Sequence, residues 1–120
     1  MKNKVVMITG ASKGLGRALT LAFAEKGAKL AICSRTTDSL NTVKEEAEKL
    51  GAEVLAVTAD ISKARDVERF VALAEEAYGQ LDVLINNASM LGPSPMPLLL
   101  DYPEDDFAEV LRVNAVSPFP

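Results

Sequence analysis

Along most of the chain, short unbroken runs of apolar residues alternate with stretches in which apolar residues recur every three or four positions. The apolar runs, rich in β-branched residues, predict four buried strands of a parallel sheet, at 5–9, 29–34, 53–60 and 81–88. Between them, apolar positions spaced three and four residues apart predict helices that begin near Leu15 and cover 38–50 and 62–78. Strand and helix thus alternate, which indicates an α/β fold.

The helical repeats also predict which face of each helix meets the sheet. In the first helix the stripe consists of Leu15, Leu19 and Phe23, with Ala18, Ala22 and Ala24 beside it. In the second it consists of Leu40, Val43, Ala47 and Leu50. In the third the predicted buried residues are Val67, Phe70, Val71, Ala74 and Ala77.

The turn after the first strand has the spacing Thr-Gly-x-x-x-Gly-x-Gly, formed by Thr9, Gly10, Gly14 and Gly16. Glycines between a strand and a helix let a phosphate approach the free N–H groups and positive end of that helix. A Walker A loop is not indicated, because Lys13 precedes the second glycine instead of following it. Taken alone, the three glycines fit a flexible connecting loop equally well.

Composition narrows the class of protein. The 120 residues include 48% apolar and 25% charged residues with a net charge of −4, as expected for one soluble domain over 1–120. No apolar run suits a membrane span or a signal peptide, so we expect a cytoplasmic protein without a membrane partner. A pI near 4.8 argues against nucleic acid as a partner. With one cysteine, Cys33, and no histidine, we expect no intramolecular disulfide and no metal site.

The end of the second predicted strand suggests a phosphate site. Dinucleotide-binding folds place an acidic residue about 20 positions past the glycines, where it binds the ribose hydroxyls. Here Ser34 lies at that place and Arg35 follows it. A guanidinium suits a 2′-phosphate in charge and geometry, and Lys13 on the opposite turn adds a second cation. The alternative is that both cations are solvated surface residues.

The glycine turn, together with Asn86-Asn87-Ala88 after the fourth strand, resembles the short-chain dehydrogenase/reductase family, and Arg35 resembles its NADP-preferring members. Ser89 departs from the glycine usual at that position. The resemblance implies a Rossmann-type, doubly wound parallel sheet, here truncated to about four strands in the order 3-2-1-4. It also implies hydride transfer between NADP(H) and a small-molecule carbonyl or alcohol substrate.

The resemblance assigns most of the site residues. Asn86 corresponds to the residue that stabilises the sheet centre, and Ala88 to the one against the adenosine ribose. Asp60 corresponds to the aspartate that contacts the adenine amino group, although it suits a cap for the next helix equally well. The implied cofactor-binding set is Thr9, Gly10, Ser12, Lys13, Gly14, Leu15, Gly16, Ser34, Arg35, Asp60, Ile61, Asn87 and Ala88.

The last 30 residues contain a proline-rich loop over 90–102 and a predicted helix from Pro103. The loop suits either a substrate site or a stiff connection. Asn114, near the end of that helix, resembles the family's catalytic asparagine, which holds a water in a proton relay. A solvated helix residue is the alternative.

The family's catalytic serine and Tyr-x-x-x-Lys are not found in these residues. Tyr78 is followed four positions later by Asp82, and Tyr102 by Asp106. We therefore expect the chain to lack the catalytic half. Two hypotheses follow, an NADP-dependent oxidoreductase represented by its cofactor-binding portion and a catalytically silent nucleotide-binding or assembly protein.

The fourth strand, at 83–85, would form an exposed edge of an apolar parallel sheet. Such an edge favours pairing with another chain, and the helix that ends at Asn114 resembles a family dimer helix. We therefore expect a homo-oligomer.

Overall fold

The computed structural model of the chain describes residues 2–87, which form four strands and three helices in alternation. The elements are β1 Val5–Thr9, α1 Gly14–Glu25, β2 Lys29–Ser34, α2 Thr37–Lys49, β3 Val54–Thr58, α3 Ala64–Tyr78 and β4 Val83–Asn86. Predicted features that lie outside the described residues are the Ala88 and Asn114 sites, the departure at Ser89, the proline-rich loop and the fourth helix.

The four strands form one parallel sheet in the order β3-β2-β1-β4, which confirms the predicted order. In this register Thr9 lies opposite Cys33 on β2 and Asn86 on β4, so the strands end along a common edge. Parallel sheets of this kind bind ligands outside the carboxyl ends of their strands. The topology therefore directs attention to the edge at which Thr9, Ser34 and Asn86 lie.

Both faces of the sheet are buried, which explains why the strands are continuous apolar runs rather than alternating ones. On one face Val5 and Met7 pack in a cluster with Phe70 and Val71 of α3. On the other face the intervening strand residues pack against α1 and α2 in a second cluster that includes Val6, Ile8, Leu30, Ile32, Ala24, Leu40 and Val43. The period of two along each strand distributes its residues between these two clusters.

Strand β1 is fastened to β4 at both ends. At the amino ends, the Val5 N–H donates to Asp82 Oδ2 at 2.8 Å and the Asp82 N–H donates to the Val5 carbonyl at 3.0 Å. At the carboxyl ends, Thr9 Oγ1 donates to Asn86 Oδ1 at 3.0 Å. These bonds join residues more than 70 positions apart and fix the place where β4 ends relative to the glycine turn.

The predicted buried face of α1 is wrong by one residue, although Ala24, predicted beside the apolar stripe, is buried. Gly16, Thr20 and Ala24 face the sheet, whereas Leu15 is 45% exposed, and Leu19 and Phe23 are half-buried at the border of the core. Ala18 and Ala22 are exposed. The spacing of four is preserved but the helix is rotated by about 100°. Gly16 lies so close to the Gly10 carbonyl that no side chain fits at this position, which keeps this side of the helix against the turn.

The other differences are at the ends of elements. Leu50, predicted on the buried face of α2, is 44% exposed because it is the C-cap residue, where the chain leaves the helix. Ala77 near the end of α3 is also exposed. Strands β3 and β4 are shorter than predicted, and α3 begins at Ala64 rather than at Ser62. Among residues 2–87, no helix has the length and hydrophobicity needed to cross a membrane.

Candidate functional site

A cleft of about 840 Å³ lies at the carboxyl edge of the sheet. This volume is in the range of small-molecule and cofactor sites. Its lining combines the glycine turn, the segment that joins β2 to α2 and the segment that joins β3 to α3. The residues are Gly10, Ser12, Lys13, Gly14, Cys33, Ser34, Arg35, Thr36, Ser39, Ala59, Asp60, Ile61, Ser62 and Asn87.

The glycines of the turn have distinct structural roles. Gly10 and Gly14 adopt positive φ angles of 63° and 58°, a region that favours glycine. A Cβ on Gly14 would meet nothing within 4 Å, so this part of the turn is open. A Cβ on Gly16 would lie 2.0 Å from the Gly10 carbonyl oxygen and 2.7 Å from Asn87 Nδ2. Gly14 thus leaves the backbone accessible, and Gly16 lets α1 pack directly on the turn.

The amino end of α1 is suited to an anion. Its N-cap residue, Lys13, is extended and makes no side-chain cap bond, and the first turn contains no acidic residue. In contrast, the first turns of α2 and α3 contain Asp38 and Asp66. The first N–H groups of a helix and its dipole favour a negative group at this position. An open, positively polarised helix end beside accessible glycine backbone fits a diphosphate.

Thr9 supports this turn rather than lining the cleft. Its side chain is buried at 1% exposure, and its hydroxyl accepts a hydrogen bond from the Asn87 N–H at 3.0 Å while donating to Asn86. Asn87 Nδ2 in turn donates to the Gly10 carbonyl at 3.2 Å. The end of β4 therefore holds the first glycine of the turn in place.

The segment after β2 contains the predicted cation and several hydroxyl groups. Ser34 Oγ donates to the Thr36 carbonyl at 3.1 Å and accepts from the Thr36 N–H at 3.3 Å, which shapes the backbone around Arg35. Arg35 is exposed and lines the cleft together with Lys13. No carboxylate occupies the end of β2. The two cations and the hydroxyl groups suit an anionic group at this end of the cleft.

Asp60 is the one carboxylate that lines the cleft within the described part of the chain. Its Oδ1 accepts from the Ser62 hydroxyl at 2.7 Å and from the Ser62 N–H at 2.9 Å. These bonds lower the pKa of Asp60, and the charges of Lys63 and Arg35 act in the same direction. Asp60 therefore organises the turn before α3, three residues ahead of its N-cap Lys63, while the predicted adenine contact stays a prediction.

Cys33 and Tyr78 are not placed for chemistry in the cleft. Cys33 borders the cleft, but its side chain is fully buried and burial raises the pKa of the thiol to about 12. Tyr78 donates its hydroxyl hydrogen to the Leu30 carbonyl at 2.9 Å, near the start of β2 rather than its end. Desolvation raises the Tyr78 pKa to about 12. Both residues act in packing.

The structure brings nine predicted cofactor residues together at the cleft, namely Gly10, Ser12, Lys13, Gly14, Ser34, Arg35, Asp60, Ile61 and Asn87. Thr9 and Gly16 lie behind the turn, and Leu15 is exposed on α1 without lining the cleft. The prediction omitted Thr36, Ser39 and Ser62. Their hydroxyl side chains, close in sequence to Arg35 and Asp60, were the available signal.

A family model described as short chain dehydrogenase matches residues 4–120. The chain belongs to the short-chain dehydrogenase family. The match confirms the resemblance seen in the glycine turn and the paired asparagines. It also accounts for the four-stranded order and for the position of the cleft.

Within this family, a glucose 1-dehydrogenase from Gluconobacter oxydans is 46% identical over 115 residues, which are 95% of this chain and 42% of that protein. A crystal structure of an actinorhodin polyketide ketoreductase variant with NADPH has 29% identity and a TM-score of 0.71, covering 92% of this chain and 42% of that one. A short-chain dehydrogenase/reductase from Burkholderia phymatum in complex with NAD has 35% identity and a TM-score of 0.72, covering 74% and 32%. The chain thus spans less than half the length of these three proteins.

Proposed function

We propose that the chain binds NADP(H) and is the cofactor-binding part of an oxidoreductase acting on a small carbonyl or alcohol substrate. The observation that carries this proposal is that an uncapped helix end and two cations, Lys13 and Arg35, border one cleft at the carboxyl edge of the sheet. One relative is described as a glucose dehydrogenase and a structural neighbour as a ketoreductase with NADPH, which supports the class of reaction.

The proposal assigns one part of the cofactor to each part of the cleft. The diphosphate is assigned to the first turn of α1, where Gly14 leaves the backbone open. The 2′-phosphate is assigned to Arg35 and Lys13, because the end of β2 has no carboxylate that would repel it. Asp60 and Ile61 are assigned to the adenine side, and Ala88 to the ribose.

Bound NADPH would supply the hydride that reduces the carbonyl carbon. The residues of this chain would bind and orient the dinucleotide, and Asn114 is proposed to hold a water for proton transfer. The remaining proton-transfer groups of the family, a serine and Tyr-x-x-x-Lys, are proposed to belong to a catalytic half that residues 1–120 do not contain.

The test is a calorimetric titration of the folded chain with NADPH and, separately, with NADH. We expect NADPH to bind roughly 10- to 100-fold more tightly, the range that one charge-assisted hydrogen bond provides. Equal affinities would overturn the NADP preference. Failure of both dinucleotides to bind a chain with intact secondary structure by circular dichroism would overturn the binding function.

A cytoplasmic location and a homo-oligomeric state are part of the same proposal. The homo-oligomeric state is supported by β4, which borders the described sheet with Val83 and Ile85 only half-buried.

A further inference from the structure

Three hydroxyl groups bridge the cleft from the glycine turn to the first turn of α2. Thr36 Oγ1 lies 2.6 Å from Ser39 Oγ, and it donates to Ser12 Oγ at 3.4 Å. All three residues line the cleft, together with Lys13 and Arg35. The bridge therefore lies at the end of the cleft that the proposed function assigns to the 2′-phosphate.

The direction of the hydrogen bonds follows from the number of protons. A threonine hydroxyl has one hydrogen, and Thr36 directs it to Ser12. The short contact with Ser39 allows either hydroxyl to donate, so when Thr36 donates to Ser12, Ser39 donates to Thr36. In this arrangement a lone pair of the Thr36 hydroxyl accepts from Ser39 and its hydrogen points into the cleft, while Ser34 Oγ lies 3.5 Å away.

The Ser12 contact is the weaker of the two. Hydroxyl hydrogen bonds are usually 2.5–3.0 Å long, so 2.6 Å is short and 3.4 Å is long. A stronger acceptor near Ser12 would therefore capture the Thr36 hydrogen readily. Thr36 is also the N-cap residue of α2 but makes no side-chain bond to the helix backbone, so capping does not compete for its hydroxyl.

We infer that Ser39 is a positioning residue for cofactor selection. By donating to the Thr36 hydroxyl, Ser39 orients that hydroxyl so that it donates to a phosphate at the 2′ position. The inference rests on the proposed function. Phosphate oxygens only accept hydrogen bonds, whereas a ribose hydroxyl both donates and accepts. A Thr36 hydroxyl that is oriented to donate therefore favours a phosphate over a ribose hydroxyl. Ser39 acts through Thr36 and does not contact the phosphate.

The test compares binding of 2′,5′-ADP and 5′-AMP, which differ only in the 2′-phosphate, by calorimetry. For Ser39→Ala we expect 2′,5′-ADP to bind about fivefold more weakly, the effect of one hydrogen bond, and 5′-AMP to bind as before. Thr42→Ala is the matched control, because its hydroxyl lies on the same helix and bonds only locally to the Asp38 carbonyl. This control should bind both nucleotides as the parent chain does.

Two further variants test the hydroxyl itself. Thr36→Ser should retain the preference for 2′,5′-ADP, and Thr36→Val should lose at least as much of it as Ser39→Ala does. Equal behaviour of Ser39→Ala and Thr42→Ala would overturn this inference alone. Parallel losses for both nucleotides would also overturn it, since they would indicate a structural role. A parent chain without preference for 2′,5′-ADP would overturn the NADP preference of the proposed function as well.

Discussion

Gly14 and Gly16 lie two positions apart, but glycine is required at each for a different structural reason. At Gly14 the constraint is the backbone, since φ is +58° and the space around a Cβ would be open. At Gly16 the constraint is contact, since a Cβ would lie 2.0 Å from the Gly10 carbonyl oxygen. Backbone atoms cannot move aside as a flexible side chain can, so the two positions should respond differently to the same substitution.

Gly16→Ala should lower the free energy of unfolding by about 3 kcal/mol, near the upper end of typical overpacking costs. Gly14→Ala, the matched comparison, should cost about 1 kcal/mol, because only the left-handed backbone angle opposes it. Urea unfolding followed by circular dichroism measures both. Equal losses for the two variants would contradict the steric account of Gly16.

Arg35→Asp should weaken NADPH binding by roughly 100-fold, because it removes a phosphate partner and introduces a like charge. NADH binding should change by no more than about threefold. Arg65→Asp applies the same change to an exposed arginine on α3 that does not line the cleft, and it should leave both affinities unchanged. If Arg35→Asp weakens both dinucleotides equally, Arg35 does not bind the 2′-phosphate.

Thr9→Val should destabilise the chain by about 1–3 kcal/mol, because Asn86 Oδ1 and the Asn87 N–H both lose their bond to the threonine hydroxyl. Thr9→Ser retains the hydroxyl and is the control. Hydrogen exchange at the Asn87 amide is the most direct measurement. Exchange should become faster in Thr9→Val, and unchanged protection would mean that the hydroxyl does not hold β4 to the turn.

At the scale of elements, the three helices begin in different chemical surroundings. The turn before α3 is held by carboxylates, since Asp66 Oδ2 accepts from the Asp60 N–H at 2.8 Å and Asp60 Oδ1 accepts from the Ser62 N–H at 2.9 Å. The start of α1 has no such acceptor. The same sheet edge thus presents one helix start with carboxylates around it and one without them, and the second is the better place for an anion.

The turn before α3 should become less stable in acid. The Ser62 hydroxyl and N–H hold the pKa of Asp60 below its ordinary value of 3.8, so its stabilising effect is present above that value and is lost as the pH falls through the lower folded pKa. Asp60→Asn removes the charge and keeps an acceptor oxygen. The parent chain should melt at a higher temperature than this variant at pH 6, and the difference should shrink towards pH 3. A difference that is independent of pH would contradict this account.

Helices α1 and α2 are joined by an ion pair on their outer surface. Arg17 donates to both carboxylate oxygens of Glu46, at 3.0 and 2.7 Å. The bidentate bond lowers the pKa of Glu46 and turns the Arg17 guanidinium towards α2. Exposed ion pairs of this kind contribute little to stability. The main effect of the pair is therefore to fix the position of the Arg17 guanidinium.

At the scale of the whole molecule, we expect the 120-residue chain to self-associate. Val83 and Ile85 on β4 are half-buried, although neighbouring strands of the sheet bury such residues completely. Covering them with a second copy would remove apolar area from water. Light scattering coupled to size exclusion should show a mass above 12.8 kDa that falls on dilution. A single species of monomeric mass at every concentration would contradict this prediction.

The strand positions and most of the cleft were predictable because they depend on local signals, whereas the strand order came from the family resemblance. Apolar runs locate β1 to β4, and Gly10, Gly14 and Arg35 follow strand ends, which a parallel sheet brings to one edge. The rotation of α1 was not predictable, since it depends on the distance between Gly16 and a carbonyl in another segment. Thr36 and Ser39 were missed for a similar reason, because their significance comes from Ser12, more than 20 residues away.

The two walls of the cleft differ in the substitutions that they tolerate. On the side of the glycine turn, the shape is set by main-chain atoms in contact, and the Gly10 carbonyl leaves no room for even one methyl group at position 16. On the side of α2, the lining consists of exposed side chains, Arg35, Thr36 and Ser39, on which little of the core depends. Cofactor preference should therefore be open to redesign by exchanging residues 35–39 while the fold is retained, whereas changes to the glycine side should affect folding and binding together.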